Sequence, residues 1–419
     1  MYFPCHRYKT SDNVSFFAYV QTKLPTVITM RLTHYNRLIG LTLVVTAAAC
    51  VEPYPAPDIA DELNILVVDG YINASDGIAT VRLTHTMKLN EEGGSTVEEG
   101  ATVNIRTESG GLFTLIEQDS GRYTAEGLSI DANSKYQLNI KTRFGAEYIS
   151  DYVTIKDTPP IDSVTWHPDG DGVSIKVNTH DPTAQSRYYR WEFVETWEYH
   201  APYVSLFRVH NKEAVYREPD EFMFICYSTV PSTNILLTST VQLDEDVVHD
   251  FPLTYIPRVS SRLSVKYSMM VQQRVVDRDE YEFWQDLKRV TENVGGLFDS
   301  QPYEIVGNVH NANDPSSPVL GYFGGGFVSK ERIYVDYYEL PLELRKRPYH
   351  GCVQDTICLV RTPDTTYGCL TDIPGLPENT ALVNALYDGP TLYGYTTSRP
   401  SCTDCRLQGG VLTKPDFWP

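Results

Sequence analysis

Between Leu63 and about Lys156 the chain alternates apolar and polar positions in short runs separated by turn residues. Leu63 to Val68 ends at Asp69-Gly70. Ala79, Val81 and Leu83 alternate, as do Ala101, Val103 and Ile105 up to Ser109-Gly110-Gly111. Leu112 to Ile116 stops at Asp119-Ser120-Gly121, and Tyr136 to Ile140 and Tyr148 to Ile155 complete the series. Successive side chains of a strand point to opposite faces, so this pattern buries one face of a sheet and wets the other. With turn signals roughly every 8–12 residues it predicts an antiparallel Ig-like β-sandwich over residues 63–157.

Thr158-Pro159-Pro160 marks a boundary, and a second strand-rich series follows. It predicts a fibronectin-like β-sandwich over residues 161–278. Arg187 to Tyr199 reads as one long strand rich in aromatics. One of its faces must enter the core. The other is free to stack rings on a sugar or a partner, and Tyr189, Trp191, Trp197 and Tyr199 are the candidate binding aromatics. Asp169-Gly170-Asp171-Gly172 has too few oxygen ligands for calcium and precedes a strand, so a hairpin turn is expected. A helix is expected from Asp279, with Glu282 placed as in a capping box and an apolar stripe at Tyr281, Trp284, Leu287, Val290 and Val294. Gly295-Gly296 should stop it. The remainder, residues 279–419, reads as this helix followed by a disulfide-stapled β and loop region. The glycine-rich run Gly321 to Phe327 lacks the spacing of a nucleotide loop and is expected to be a strand ending in a bulge or turn. The fold class expected is therefore mainly β, with tandem sandwiches and one prominent helix.

The beginning of the chain is different. Arg31 and Arg37 precede an apolar run, Leu38 to Val45, then Thr46-Ala47-Ala48-Ala49 and Cys50. This is the layout of an export signal cleaved before a cysteine that becomes lipidated. The run is too short to span a bilayer, which takes about 20 residues. Residues 1–49 are accordingly read as a lipoprotein signal with an N-terminal extension, translation starting at Met30. Residues 50–62 are read as the lipid anchor and a proline-rich, acidic tether.

Charge narrows the partners. The chain carries 35 Lys and Arg against 54 Asp and Glu, a net charge of −19. Such a surface repels polyanions, so no nucleic-acid partner is expected. Beyond Cys5 and Cys50 there are six cysteines: Cys226, Cys352, Cys358, Cys369, Cys402 and Cys405. In an exported chain an even set reads as disulfides, with 15 pairings open. Zinc binding and redox activity are the other readings of Cys402-x-x-Cys405. The usual metalloprotease, serine-hydrolase, phosphate-loop and dinucleotide signatures are absent, and no catalytic residue, metal site or cofactor is expected.

Several stretches, taken in order, resemble a known family. They are Ile225-Cys226-Tyr227, Arg262 to Ser268, Tyr281 to Trp284 with Thr291-Glu292, Gly296 to Pro302 and Ile305 to Asn308. Asn313 to Pro315, Val319 to Phe323, Cys402 to Gly410 and Lys414 to Trp418 continue the set. Together they resemble the Bacteroidota lipoprotein family called domain of unknown function 4249. The resemblance implies an outer-membrane lipoprotein anchored through Cys50, with a TonB-dependent receptor as partner. Glu52, just after the anchor, is similar to the acidic residues that mark export to the cell surface in such bacteria. No catalytic residue is carried over. The function expected is a binding or accessory component of a TonB-dependent transport system, not an enzyme. The alternatives are a free-standing adhesion or structural lipoprotein, and a glycan or peptide hydrolase.

Overall fold

The computed structural model describes residues 64–86, 96–119, 121–292, 305–345, 351–359 and 380–419, with the backbone of 369–370. The export signal, Met30, Cys50, the tether and Gly295-Gly296 lie outside the described residues.

The first period-two series forms β1 (Leu66–Asn73), β2 (Ile78–His85), β3 (Thr102–Thr107), β4 (Leu112–Asp119), β5 (Arg122–Ala125), β6 (Lys135–Lys141), β7 (Glu147–Ser150) and β8 (Val153–Thr154). Leu66, Val68 and Ile72 of β1 and Ala79, Val81 and Leu83 of β2 point into a core with Val103, Ile105, Tyr123 and Leu138. Asp69, Tyr71, Thr80 and Arg82 therefore lie on the opposite face.

The second series forms β9 (Ile161–Asp169), β10 (Gly172–His180), β11 (Tyr188–His200), β12 (Phe207–His210), β13 (Glu213–Tyr216), β14 (Ile225–Pro231), β15 (Leu236–Ser239), β16 (Val247–Pro257) and β17 (Lys266–Val275). Gly170-Asp171 makes the expected hairpin turn between β9 and β10, with Gly170 at φ +54°. Its Asp171 carboxylate forms an ion pair with Arg258 Nε at 2.7 Å.

One helix, α1 (Arg278–Glu292), follows. Its cap is not Asp279 but Asp277, whose carboxylate accepts from the Glu280 N–H at 2.9 Å. Of the expected stripe, Trp284 is buried and Leu287 packs against the same cluster. Glu280, Phe283 and Trp284 are buried, while Val290 is exposed. The chain ends with β18 (Val309–Asn311), β19 (Leu320–Gly326), β20 (Ser329–Asp336), β21 (Asp355–Cys358), β22 (Cys369–Leu370), β23 (Ala381–Asp388) and β24 (Thr391–Ser398).

Among the described residues these strands build four sheets. The largest runs β18-β7-β6-β3-β4-β5-β2-β1-β19, with β8 beside β6. The sheet β16-β10-β9 packs against β14-β11-β17-β20, with β15 beside β11, around Ile175, Trp191, Ile256, Tyr267 and Val271. The fourth runs β13-β12-β23-β24-β21-β22. Among the described residues the fold is thus mainly β, with sandwich packing and one α-helix. The stretch 279–419 does not stand apart as expected: β18 and β19 complete the first sheet and β20 joins the β11 sheet. The pairing is also not purely antiparallel, since β19 lies parallel to β1. The glycines of β19 permit this approach: a Cβ on Gly321 would collide with the Val68 carbonyl. Asn308 fixes the strand by accepting from the Phe323 N–H and donating to its carbonyl, both at 2.8 Å.

Cys402 and Cys405 are disulfide-bonded to different partners. Cys226 pairs with Cys405 and Cys352 with Cys402. The two cysteines of the motif thus tie the chain's end to β14 and to the segment before β21. Zinc and redox readings of the motif give way to this structural one. Cys358 is disulfide-bonded too, and the Cys369 side chain lies outside the described residues.

Candidate functional site

Where the outer face of β1 and β2 meets the polar face of β11 and β17, the chain leaves a cleft of about 290 Å³. Asp69, Tyr71, Arg82 and Arg122 line one side of it, and Glu192, Gln272 and Arg274 the other. Strand parity explains the second wall. Odd positions of β11 carry Tyr189, Trp191 and Phe193 into the sandwich core, so Arg190 and Glu192 face the opposite way.

Behind the cleft lies a network of buried charges. Arg274 donates to Glu192 Oε1 at 2.7 Å, and Arg190 donates to the same oxygen at 2.8 Å. The Arg190 guanidinium stacks on the Trp284 ring at 3.5 Å, and that of Arg274 lies 4.4 Å from the Tyr71 ring centre. Trp284 Nε1 donates to Glu280 Oε1 at 3.3 Å. Gly324 of β19 makes room for that carboxylate, since a Cβ there would stand 2.9 Å from Glu280 Oε2. The network thus joins β1, β11, β17, β19 and α1.

Burial and proximity set the protonation of this network. The Arg274 guanidinium, with Arg190 beside it, holds the Glu192 carboxyl below its usual range. Burial pushes the Glu280 carboxyl up. Burial and the neighbouring Arg274 bring Arg190 down to about 10, which still leaves it charged at neutral pH. Burial would lower Arg274, but Glu192 and the other nearby acids outweigh it and raise the group. Tyr71 is raised by burial and stays neutral, and its hydroxyl is buried without a hydrogen-bond partner in the structure.

The candidate aromatics are not at this site. Tyr189, Trp191 and Tyr199 are buried, and Trp197 is half-buried against the same cores. All four have odd numbers, so they share the face that the β9–β10–β16 sheet and the chain's end cover. Their polar atoms serve the fold: Trp191 Nε1 donates to Gln273 Oε1 at 2.9 Å, Tyr189 to Asp246 at 3.0 Å, and Tyr199 to the Cys405 carbonyl at 2.8 Å. Arg190, Glu192, Arg274 and Tyr71 escape sequence reasoning because they come from strands far apart in the chain. The signal that points to them is the charged alternate positions Arg190 and Glu192 inside an aromatic-rich strand.

A family model for Domain of unknown function (DUF4249) matches residues 51–332. The chain belongs to this family. The match takes in β1, β11, β17, α1 and β19, so the whole cleft lies inside the family region, and Cys352, Cys402 and Cys405 lie beyond it. Among solved structures, a two fibronectin type-III domain segment from chicken tenascin is similar at 13% identity and TM-score 0.15, covering 50% of this chain and 90% of that one. No curated protein matches the chain.

Proposed function

We propose that this chain is a lipid-anchored protein of the outer membrane that serves a TonB-dependent transport system as a binding or accessory component, without catalysis of its own, and that the junction cleft is its binding site. The observation that carries the reading is the cleft itself. Its walls come from separate sheets: ion pairs to Glu192 order the wall formed by β11 and β17, the Arg274 guanidinium packs across on the Tyr71 ring of the other wall, and polar groups remain open toward the mouth. Concave sites of this kind at the junction of packed units are where ligands usually bind.

Three further features support it. The disulfides Cys226–Cys405 and Cys352–Cys402 suit an oxidising compartment. The signal-like stretch ending at Cys50 suits lipid anchoring. A TonB-dependent receptor is the partner that the sequence resemblance implies. A glycoside hydrolase of the two-carboxylate type would need a carboxylic acid held protonated beside an ionised one in the cleft. Glu192 is instead held ionised, and Glu280, the carboxyl that burial raises, sits behind the cleft wall. Among the described residues no helix is long and apolar enough to cross a membrane.

The test is a gentle detergent pull-down of the lipidated protein from its own outer membrane, followed by mass spectrometry. A TonB-dependent barrel recovered in stoichiometric amount is the expected result. Recovery of the lipoprotein alone, under conditions that keep other receptor complexes intact, overturns the transport reading in favour of a free-standing adhesin.

A further inference from the structure

The mouth of the junction cleft holds uncommitted chemistry of both signs. Asp69, Arg82 and Arg122 form one row across three strands, because Asp69 lies opposite Arg82 and Arg82 opposite Arg122. Arg122 is committed to Asp119 through bonds of 3.0 and 3.1 Å. Arg82 and Asp69 are in register yet form no ion pair or side-chain hydrogen bond, with each other or with any described residue. Two guanidinium groups directly opposite on neighbouring strands repel, and no protein carboxylate bridges them. On the facing wall, Glu192 spends one oxygen, Oε1, on both arginines and leaves Oε2 unbonded. Gln272, its cross-strand neighbour, has its side-chain amide unbonded.

We infer that the cleft binds a small zwitterion, an α-amino acid or a short peptide with free ends. Its carboxylate lies between Arg82 and Arg122, where a planar fork matches two oxygens. Its ammonium is held by Asp69 and Glu192 Oε2, and Gln272 serves its amide. A ligand with only negative charge would leave Asp69 without a partner, and a simple cation would leave Arg82 without one, while Glu192 and Arg122 already have partners within the protein. A cleft of about 290 Å³ is at the small end of ligand pockets, which suits one or two residues and not an oligomer. This inference rests on the reading of the cleft as the binding site and is independent of which membrane partner the protein has.

The test is titration calorimetry on the full chain in detergent at low salt, with alanyl-alanine, its N-acetylated form and its C-terminal amide as probes. Expected is saturable one-to-one binding of the free dipeptide, weakened about tenfold or more by either cap. The variants Arg82→Ala and Asp69→Asn should weaken it to a similar degree. Arg82 is exposed and unpaired, so thermal unfolding of Arg82→Ala should match the parent; Asp69 adds its charge to those that support the buried Arg190 and Arg274, so Asp69→Asn is compared at a temperature where both proteins are fully folded. Three outcomes overturn the inference: no saturation by alanyl-alanine at millimolar concentration, equal binding of the capped forms, or unchanged binding in both variants. Each leaves the pull-down result untouched, so failure here and failure of the transport reading are separable.

Discussion

Arg190→Ala tests whether the junction is held by its buried charges. Arg190 is 6% exposed and makes three interactions that alanine cannot replace. Its 2.8 Å bond to Glu192 ends on a half-exposed carboxylate, which sets its loss near the low end for a charged hydrogen bond, about 1.5 kcal/mol. The 3.5 Å stack on Trp284 is out of contact with water and is worth about 2 kcal/mol. Glu280, buried beside it, loses one of the two arginines that offset its burial. The total, about 3–4 kcal/mol, falls in the range for breaking a buried pair from one side. Urea unfolding followed by tryptophan fluorescence reads it directly, because Trp284 is in the network. The double variant Arg190→Ala with Glu280→Gln should recover about 1–2 kcal/mol, since the amide removes the stranded charge. A loss under about 1 kcal/mol in the single variant, or no recovery in the double, would refute the claim that these charges hold the junction.

Other outcomes follow from features elsewhere. Replacing both Cys226 and Cys405 by Ala opens a link between residues 179 apart and should cost about 2–5 kcal/mol, seen as a lower melting temperature and faster proteolysis of the chain's end. Gly324→Ala puts a methyl against the Glu280 carboxylate and should destabilise by about 1–3 kcal/mol in thermal unfolding, with part of the loss recovered by Glu280→Ala. Burial would raise the Asp181 carboxyl, but bonds from Thr183 and Ser186 bring it down to about 2. A depressed folded-state value means this stabilisation is complete above the unfolded carboxyl value, about 4, and is lost as pH falls toward 2. Asp181→Asn should therefore lower stability at neutral pH and flatten the acid limb of a melting-temperature profile, and an unchanged acid limb would refute it.

The strands and the hairpin at Gly170 were legible because a period of two and a turn signal are local properties. The helix was legible as a helix, but its start was displaced from Asp277 to Asp279. Glu280 falls outside the expected stripe for a different reason: it is an acid, which no apolar-stripe rule selects. The aromatic run of β11 was legible as a strand with a core face. Which parity faced inward depended on the sheet that covers it, and that sheet is formed by β9, β10 and β16, outside the strand itself. The cleft was not legible. Tyr71, Glu192, Arg274 and Glu280 come together only after β1, β11, β17 and α1 are placed, and each alone reads as an ordinary polar residue.

The parallel strand β19 has a consequence for the order of folding. The first sheet begins at Leu66, yet its edge at β1 is covered only by residues 320–326. Until that segment has been made and threaded back, β1 offers a row of unpaired backbone groups to any neighbouring chain. A fragment ending after β17 would contain most of both early sheets and still carry this open edge, so it should self-associate. Closing so long a loop is entropically slow, which makes docking of β19 a late event and the unfinished sheet the species most exposed to aggregation.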